Sequence, residues 1–394
     1  MSTSLKISRR AFSAGAASVA VLAGTGRAKA AKDFTIGVVN PLTGFGADLG
    51  ICAQQALELV VDELNKAGGI NGGQIKFVFR DDESNPQKGV AAVQELLQRH
   101  NVDVIVGANL TNIAVAVAPI VNQAKVPFIL FGTGSALIDP AKFPYLFRTN
   151  FHTDMESALI ADYYSRVLKL KSPGIVSDTS AYGQTGSKAL IAALSKVGIT
   201  PAAQETFSMT DTDLSGQVLR LQKANADAIL GWSLGTSLAQ VARAAQRLNF
   251  NVPGIGGAGI HQEGFVDLAG AAGKDWSGTY YRSFTRTDKE DAPADIRTYL
   301  KKMQERHGAK LSKTMYIAAL WDDTIRLLVE AAKRAKSSGG DDVKAALETA
   351  NFKGMVSQFT FSPTKHDGLD PKALTLAYVI GTEAHVRLRV PGMD

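Results

Sequence analysis

The chain has 394 residues, more than one domain usually takes, so two domains are the first expectation. Hydrophobic residues make up 45% and charged residues 20%, which describes a globular protein with a sizeable core. The formal charge of +6 owes five units to Lys6, Arg9, Arg10, Arg27 and Lys29, and the near-neutral remainder excludes a nucleic-acid footprint or a polybasic membrane patch.

The first thirty residues read as an address. Ser8-Arg9-Arg10-Ala11-Phe12 is a twin-arginine signature. A mildly apolar stretch runs from Ala11 to Gly26, and Ala28-Lys29-Ala30 offers a small-x-small cleavage pattern. The expectation is a cleaved signal peptide over 1–30, export by the twin-arginine route and a periplasmic location. No later stretch is long and apolar enough to span a bilayer.

Phe34–Val39 reads as a strand. A helix over Ala53–Ala67 follows, with Leu57, Val60, Val61 and Leu64 on one face and Gly68-Gly69 at its end. The lone cysteine, Cys52, rules out an internal disulfide and reads as a small half-buried thiol. Ile75–Phe79 is a strand, Pro86–Arg99 a helix, and Val102–Val106 and Pro127–Leu130 are further strands. The pattern then restarts, with strands at Pro173–Val176, Ala202–Phe207 and Asp227–Leu230. Helices fall near Gly186–Val197, Leu214–Lys223 and Leu238–Leu248. An amphipathic helix over Tyr316–Lys336 comes late, and Ser337–Gly340 separates it from a short one. Two α/β units in tandem predict two Rossmann-like lobes with mostly parallel sheets and a cleft between them.

In such sheets ligands sit beyond the carboxyl ends of the strands. The segments there are Asn40–Gly50, Gly107–Asn112 and Phe131–Leu137 in the first unit. In the second they are Ser177–Gly186, Gly231–Ser237 and Gly256–Gln262. They are rich in Gly, Ser, Thr and Asn. Glycine admits close backbone approach, hydroxyls satisfy ligand oxygens without titrating, and helix N-termini favour a carboxylate. Phe45, Thr111, Asn112, Thr133, Ser135, Tyr182, Trp232 and Gly259 are the candidate binding residues.

Three other motifs carry plainer readings. Gly231-Trp232-Ser233-Leu234-Gly235 fits G-x-S-x-G, with Asp267 and His366 as conceivable partners for a serine hydrolase, but no oxyanion segment precedes it. Gly254–Gly259 fits G-x-G-x-x-G, yet lies late in its unit without the acid a dinucleotide needs, so tight turns and a close backbone wall are expected. Asp81-Asp82-Glu83 reads as a solvated strand end or helix cap, and the six histidines lack zinc-ligand spacing. No metal or cofactor is expected.

The stretch Asn65–Gly72, followed by a strand and Arg80-Asp81-Asp82, resembles the branched-chain amino-acid-binding proteins of ATP-driven importers. So do Gly107 with Thr111, Tyr182-Gly183, and Phe361-Ser362-Pro363 with His366-Asp367. The resemblance implies the type I periplasmic binding protein fold, with two lobes joined by a three-stranded hinge. Lobe one would take 33–150 and 280–355, lobe two 151–279 and 356–394. It implies that Thr111 and Ser135 hold a ligand carboxylate, that Phe45 lines the side-chain pocket and that Tyr182 comes from the second lobe. One departure stands out. The family's amino-acid binders carry an acid for the ligand ammonium, and Gly256–Ile260 has none, with Glu263 displaced onto the next helix. An acid without an amine therefore competes with an amino acid as the expected ligand.

The expected function is a monomeric, non-enzymatic carrier. It would bind a small carboxylate-bearing molecule and deliver it to the membrane permease of an ABC importer, with no nucleic-acid partner. A ligand-sensing receptor module is the rival binding function, and a hydrolase acting through Ser233 the enzymatic one.

Overall fold

The computed structural model describes residues 32–379 and 385–393; the export segment expected over 1–30 lies outside the described residues. The chain starts as β1 (Phe34–Asn40), α1 (Ala47–Lys66), β2 (Ile75–Asp81), α2 (Pro86–Gln98), β3 (Val104–Gly107), α3 (Thr111–Gln123), β4 (Phe128–Leu130) and β5 (Leu146–Arg148). These strands make one parallel sheet in the order β2-β1-β3-β4-β5. Ile36 sits opposite Phe77 on one side and Val104 on the other. A central strand covered on both faces needs a near-continuous apolar run, and Phe34–Val39 and Val104–Val106 supply one. α2 begins where the sequence places it: Asn85 accepts hydrogen bonds from Gln87 N and Lys88 N, and Pro86 occupies the first helical position.

The second unit runs α4 (Thr153–Asp162), β6 (Gly174–Asp178), α5 (Ala181–Lys196), β7 (Ala203–Phe207), α6 (Ser215–Lys223), β8 (Ile229–Trp232), α7 (Gly235–Arg247), β9 (Gly254–Gly256), α8 (Glu263–Ala269) and β10 (Trp276–Tyr281). The chain continues through β11 (Thr285–Arg286), α9 (Ala294–His307), α10 (Met315–Arg334), α11 (Gly340–Leu347), β12 (Asn351–Lys353), β13 (Gln358–Thr360), β14 (Leu374–Tyr378) and β15 (Arg387–Leu388). The second sheet has the order β14-β10-β9-β8-β6-β7, parallel except for β14 against β10. It carries an apolar cluster on each face, one built from α6, α7 and α8, the other from α4 and α5. α10 returns to the first lobe and packs along α1.

The chain therefore passes between two α/β lobes after β5, after β10 and before β14. Segment 361–368, expected with the second lobe, sits on the first. Gly368 N donates to Arg148 O, Phe361 N donates to Ala350 O, and the Phe361 ring meets Phe147 edge-on. Hydrogen bonds clasp the hinge. Tyr281 donates its hydroxyl to Asn150 Oδ1 at 2.7 Å, and Asn150 Nδ2 donates to Phe131 O.

Three helices start three or more residues earlier than their patterns predict, α7 at Gly235 rather than Leu238. α1 begins at Ala47 rather than Ala53, and α5 at Ala181 rather than Gly186. Gly50, which reads as loop, lies inside α1, and the backbone of Pro41 packs so close against it that the position needs glycine. A Cβ there would fall 1.6 Å from Pro41 O.

Candidate functional site

The loops beyond the strand ends converge on one pocket between the lobes, about 630 Å³ of space free of atoms when the solvent at its mouth is included. Its wall on the first lobe starts where β3 ends. Gly107 has φ +135°, and a Cβ there would lie 2.1 Å from Val39 O, so the turn off the strand needs glycine. Asn40 Oδ1 then accepts from Asn109 N at 3.1 Å and fixes the loop that leads into α3. No side chain caps the first turn of α3, which opens with Thr111 and Asn112. Both residues line the pocket.

Thr133, beyond β4, comes from the neighbouring loop. Gly134 approaches the Thr111 methyl closely enough that a Cβ would sit 3.1 Å from it. Arg148 holds that loop from behind. Its Nη1 donates to Gly132 O at 3.1 Å and to Gly134 O at 2.9 Å, while Nε donates to Asp367 Oδ1 at 2.6 Å. Thr111 and Thr133 are 3% and 7% exposed, yet neither hydroxyl has a hydrogen-bond partner among the described residues. A buried hydroxyl left unsatisfied costs about 1–3 kcal/mol. Two of them beside an uncapped helix N-terminus present donors suited to a ligand oxygen.

The second lobe supplies Ser180 and Tyr182 from the start of α5, Leu234 before α7, and Ala258, Gly259 and Gln262 after β9. The Ser180 hydroxyl caps α5 by accepting from Gly183 N. Gly259 presents bare backbone, since a Cβ would lie 2.2 Å from Ser233 O. Gln262 Oε1 accepts from Gly235 N at 2.9 Å and ties this loop to α7. Tyr316 of α10 donates to Ala258 O at 3.3 Å and joins the two lobes beside the pocket. Burial, helped by the nearby charges of Glu156 and Asp178, pushes the Tyr182 phenol far above its ordinary range.

Glu156 lies fully buried on α4, outside the pocket wall, and its Oε1 accepts from Ala258 N at 2.7 Å. The Thr279 hydroxyl faces the same carboxyl, although Oε2 completes no hydrogen bond among the described residues. Burial raises the carboxyl to about 8, against the opposing influence of Ala258 N and the Thr279 hydroxyl, so it is mostly protonated at neutral pH.

Of the candidates, Phe45, Thr111, Asn112, Thr133, Tyr182 and Gly259 line the pocket; Ser135 and Trp232 do not. Ser135 opens a 3-10 turn (Ser135–Leu137), which swings its hydroxyl away to Thr153 Oγ1 at 2.7 Å and the N–H of Asp154 at 3.3 Å. Trp232 is fully buried against the glycine face of α5, where a Cβ on Gly186 would lie 1.9 Å from its Nε1. Glu263 is taken up by Lys313 at 3.6 Å. Asn150, Met209 and Tyr316 line the pocket although no sequence pattern marked them. Asn150 lies on a hinge crossing, and Tyr316 reads as part of an apolar helix face.

The residues of the hydrolase reading are engaged elsewhere. His366 Nδ1 is 2.8 Å from Leu146 O and its ring stacks on Phe147, while Asp267 holds Lys313 at 2.6 Å. The buried Ser233 hydroxyl has no partner among the described residues. The glycines at 254–259 serve packing: Trp276 covers Gly254 and Ile260 covers Gly256. Asp81 accepts from Leu42 N, Thr43 Oγ1 and Glu83 N, and Asp82 from Ser84 N, so this acidic run caps turns.

Residues 33–379 match the sequence model of the family described as periplasmic binding protein. The chain belongs to that family. A periplasmic binding protein works outside the cytoplasm, which sets the compartment of this one. The chain is 28% identical over 285 residues to the Leu/Ile/Val-binding protein homolog 3 of Brucella melitensis, covering 72% of this chain and 76% of the relative. Among solved structures it is similar to a type 1 periplasmic binding protein from Bordetella pertussis Tohama I. That likeness has a TM-score of 0.81 at 26% identity and covers 91% of this chain and 100% of the other. LivJ from Streptococcus pneumoniae, solved in complex with isoleucine, matches with a TM-score of 0.79 at 26% identity, over 90% and 98% of the two chains. These similarities support a periplasmic binding protein of the ABC-transporter type for amino acids or related ligands.

Proposed function

We propose that this periplasmic binding protein captures a small carboxylate-bearing ligand in the interlobe pocket and presents it, as a monomer, to the permease of an ABC importer. The observation that carries the reading is the pair of buried, unpartnered hydroxyls of Thr111 and Thr133 beside the uncapped first turn of α3. One lobe, near 33–150 with 280–355, binds first. The other then rotates about the crossings and adds Tyr182 and the backbone at Gly259. Solute-binding relatives and a pocket without a general base favour a carrier over an enzyme. The Ser8–Phe12 signature supports export by the twin-arginine route, and cytoplasmic retention of an Arg9→Lys, Arg10→Lys chain would test that.

Thermal-shift screening of amino acids and of aliphatic and aromatic acids tests the reading, because a ligand that binds only the folded form raises Tm. Thr111→Ala and Thr133→Ala should each weaken the hit by about 1–3 kcal/mol. Full affinity in both variants would refute the site.

A further inference from the structure

We infer that the pocket selects a carboxylate whose remaining body is apolar and carries no ammonium group. This rests on the binding reading above and narrows it to one ligand class.

The walls are the first observation. Every polar side chain among the described residues lining the pocket is uncharged: asparagines, threonines, Ser180, Gln262 and the phenols of Tyr182 and Tyr316. The rest of the surface is large and apolar, with Phe45, Leu49, Leu110, Phe151, Met209 and Ile317. An ammonium group buried there would meet no anion, and burying a charge without one is costly. A carboxylate meets no cation either, but it can be satisfied by neutral donors, and the two threonine hydroxyls are donors without a bond to make.

The nearby acids are the second observation, because each stands outside the pocket wall and already receives a hydrogen bond or an ion pair on at least one oxygen. Glu263 pairs with Lys313. Asp48 receives the N–H of Leu49 and faces Thr314 Oγ1 at 3.5 Å. Asp178 receives Ser180 N at 2.7 Å at the start of α5. Glu156 receives Ala258 N, and its protonated state at neutral pH leaves little charge to offer. None of the four lines the pocket. Gly259 cannot be elaborated into an acid, since Ser233 O occupies the space a side chain would need.

The third observation lies behind the lobe-one loops. Fully buried Arg148 spends its Nη1 on Gly132 O and Gly134 O, and its Nη2 has no partner among the described residues. A guanidinium directly behind the Thr133 loop, paired through Nε with mostly buried Asp367 at 2.6 Å, puts a donor-rich group rather than an acid at that end of the pocket.

The test uses matched probes that differ only in the amine: 4-methylpentanoate against leucine, and 3-phenylpropanoate against phenylalanine. Binding to the mature wild-type protein is measured by calorimetry at pH 7. The expected result is that at least one acid binds ten times or more tighter than its amino-acid partner. Equal or tighter binding of the amino acids overturns the inference and leaves the carrier reading standing. Tight binding of an amide or urea with no response to any acid also overturns it. Silence from all four probes and the whole screening panel overturns both.

Discussion

Lys313, in the turn before α10, places its ammonium nitrogen 2.6 Å from Oδ1 of Asp267 on α8, so one ion pair bridges the two lobes at the rim of the pocket. Glu263, one turn earlier on α8, lies 3.6 Å from the same nitrogen. Nearly half of the Lys313 and Asp267 side chains is exposed, which limits what the contact contributes. Lys313→Ala should weaken ligand affinity by at most about 1 kcal/mol, with the difference shrinking at high salt. Calorimetry at two ionic strengths measures it. A larger, salt-independent loss would mean that the lysine touches ligand directly.

Ser135 and Thr133 separate two readings of one loop. Ser135→Ala removes the acceptor for Asp154 N and the partner of Thr153, so it should lower folding stability by about 1 kcal/mol. Its effect on affinity should stay within about twofold. Thr133→Ala should do the reverse. A denaturation curve beside a binding isotherm for each variant distinguishes them.

Gly186 tests why Trp232 is buried. A methyl group at Gly186 would sit 1.9 Å from the indole nitrogen, with the ring packed between α5 and β8. Gly186→Ala should destabilise by about 1–3 kcal/mol or more through overpacking. Chemical denaturation is the measure, and an unchanged midpoint would show that the helix yields.

Glu156 predicts a pH dependence. Its folded value of about 8 lies above the ordinary carboxyl value of 4.5. The unfolded chain therefore releases the proton first as pH rises. Stability falls across the window from about 4.5 to 8, by about 1.4 kcal/mol for each pH unit crossed, and levels off above it. Tyr182 and Tyr281 are the titratable groups that feel this charge, and both stay protonated throughout that window. Glu156→Gln keeps an acceptor for Ala258 N and removes the proton exchange. Its Tm should thus decline less than the wild-type Tm between pH 5 and pH 8. Parallel curves for the two proteins would contradict the assignment.

The order of strands and helices, the two-lobe class and most of the pocket loops were legible in the chain itself. Apolar runs of strand length and amphipathic helical spacing are local properties, and a βαβ order constrains how they pack. The adjacent Arg9 and Arg10, the near-neutral remainder and the absence of an acid in Gly256–Ile260 are likewise facts of sequence. The direction of individual side chains was not legible. Thr133 and Ser135 stand two residues apart and would face alike in an extended chain, but a 3-10 turn starting at Ser135 parts them. Trp232 ends β8 where a pocket residue could stand, yet a glycine 46 positions earlier makes room for its ring in the core. Glu156 gave no signal at all, because only the fold brings α4 beneath the turn at Ala258, 102 residues later. Which groups meet, which are shut from water and which are left without partners depends on contacts between distant segments, and those exist only once the chain has folded.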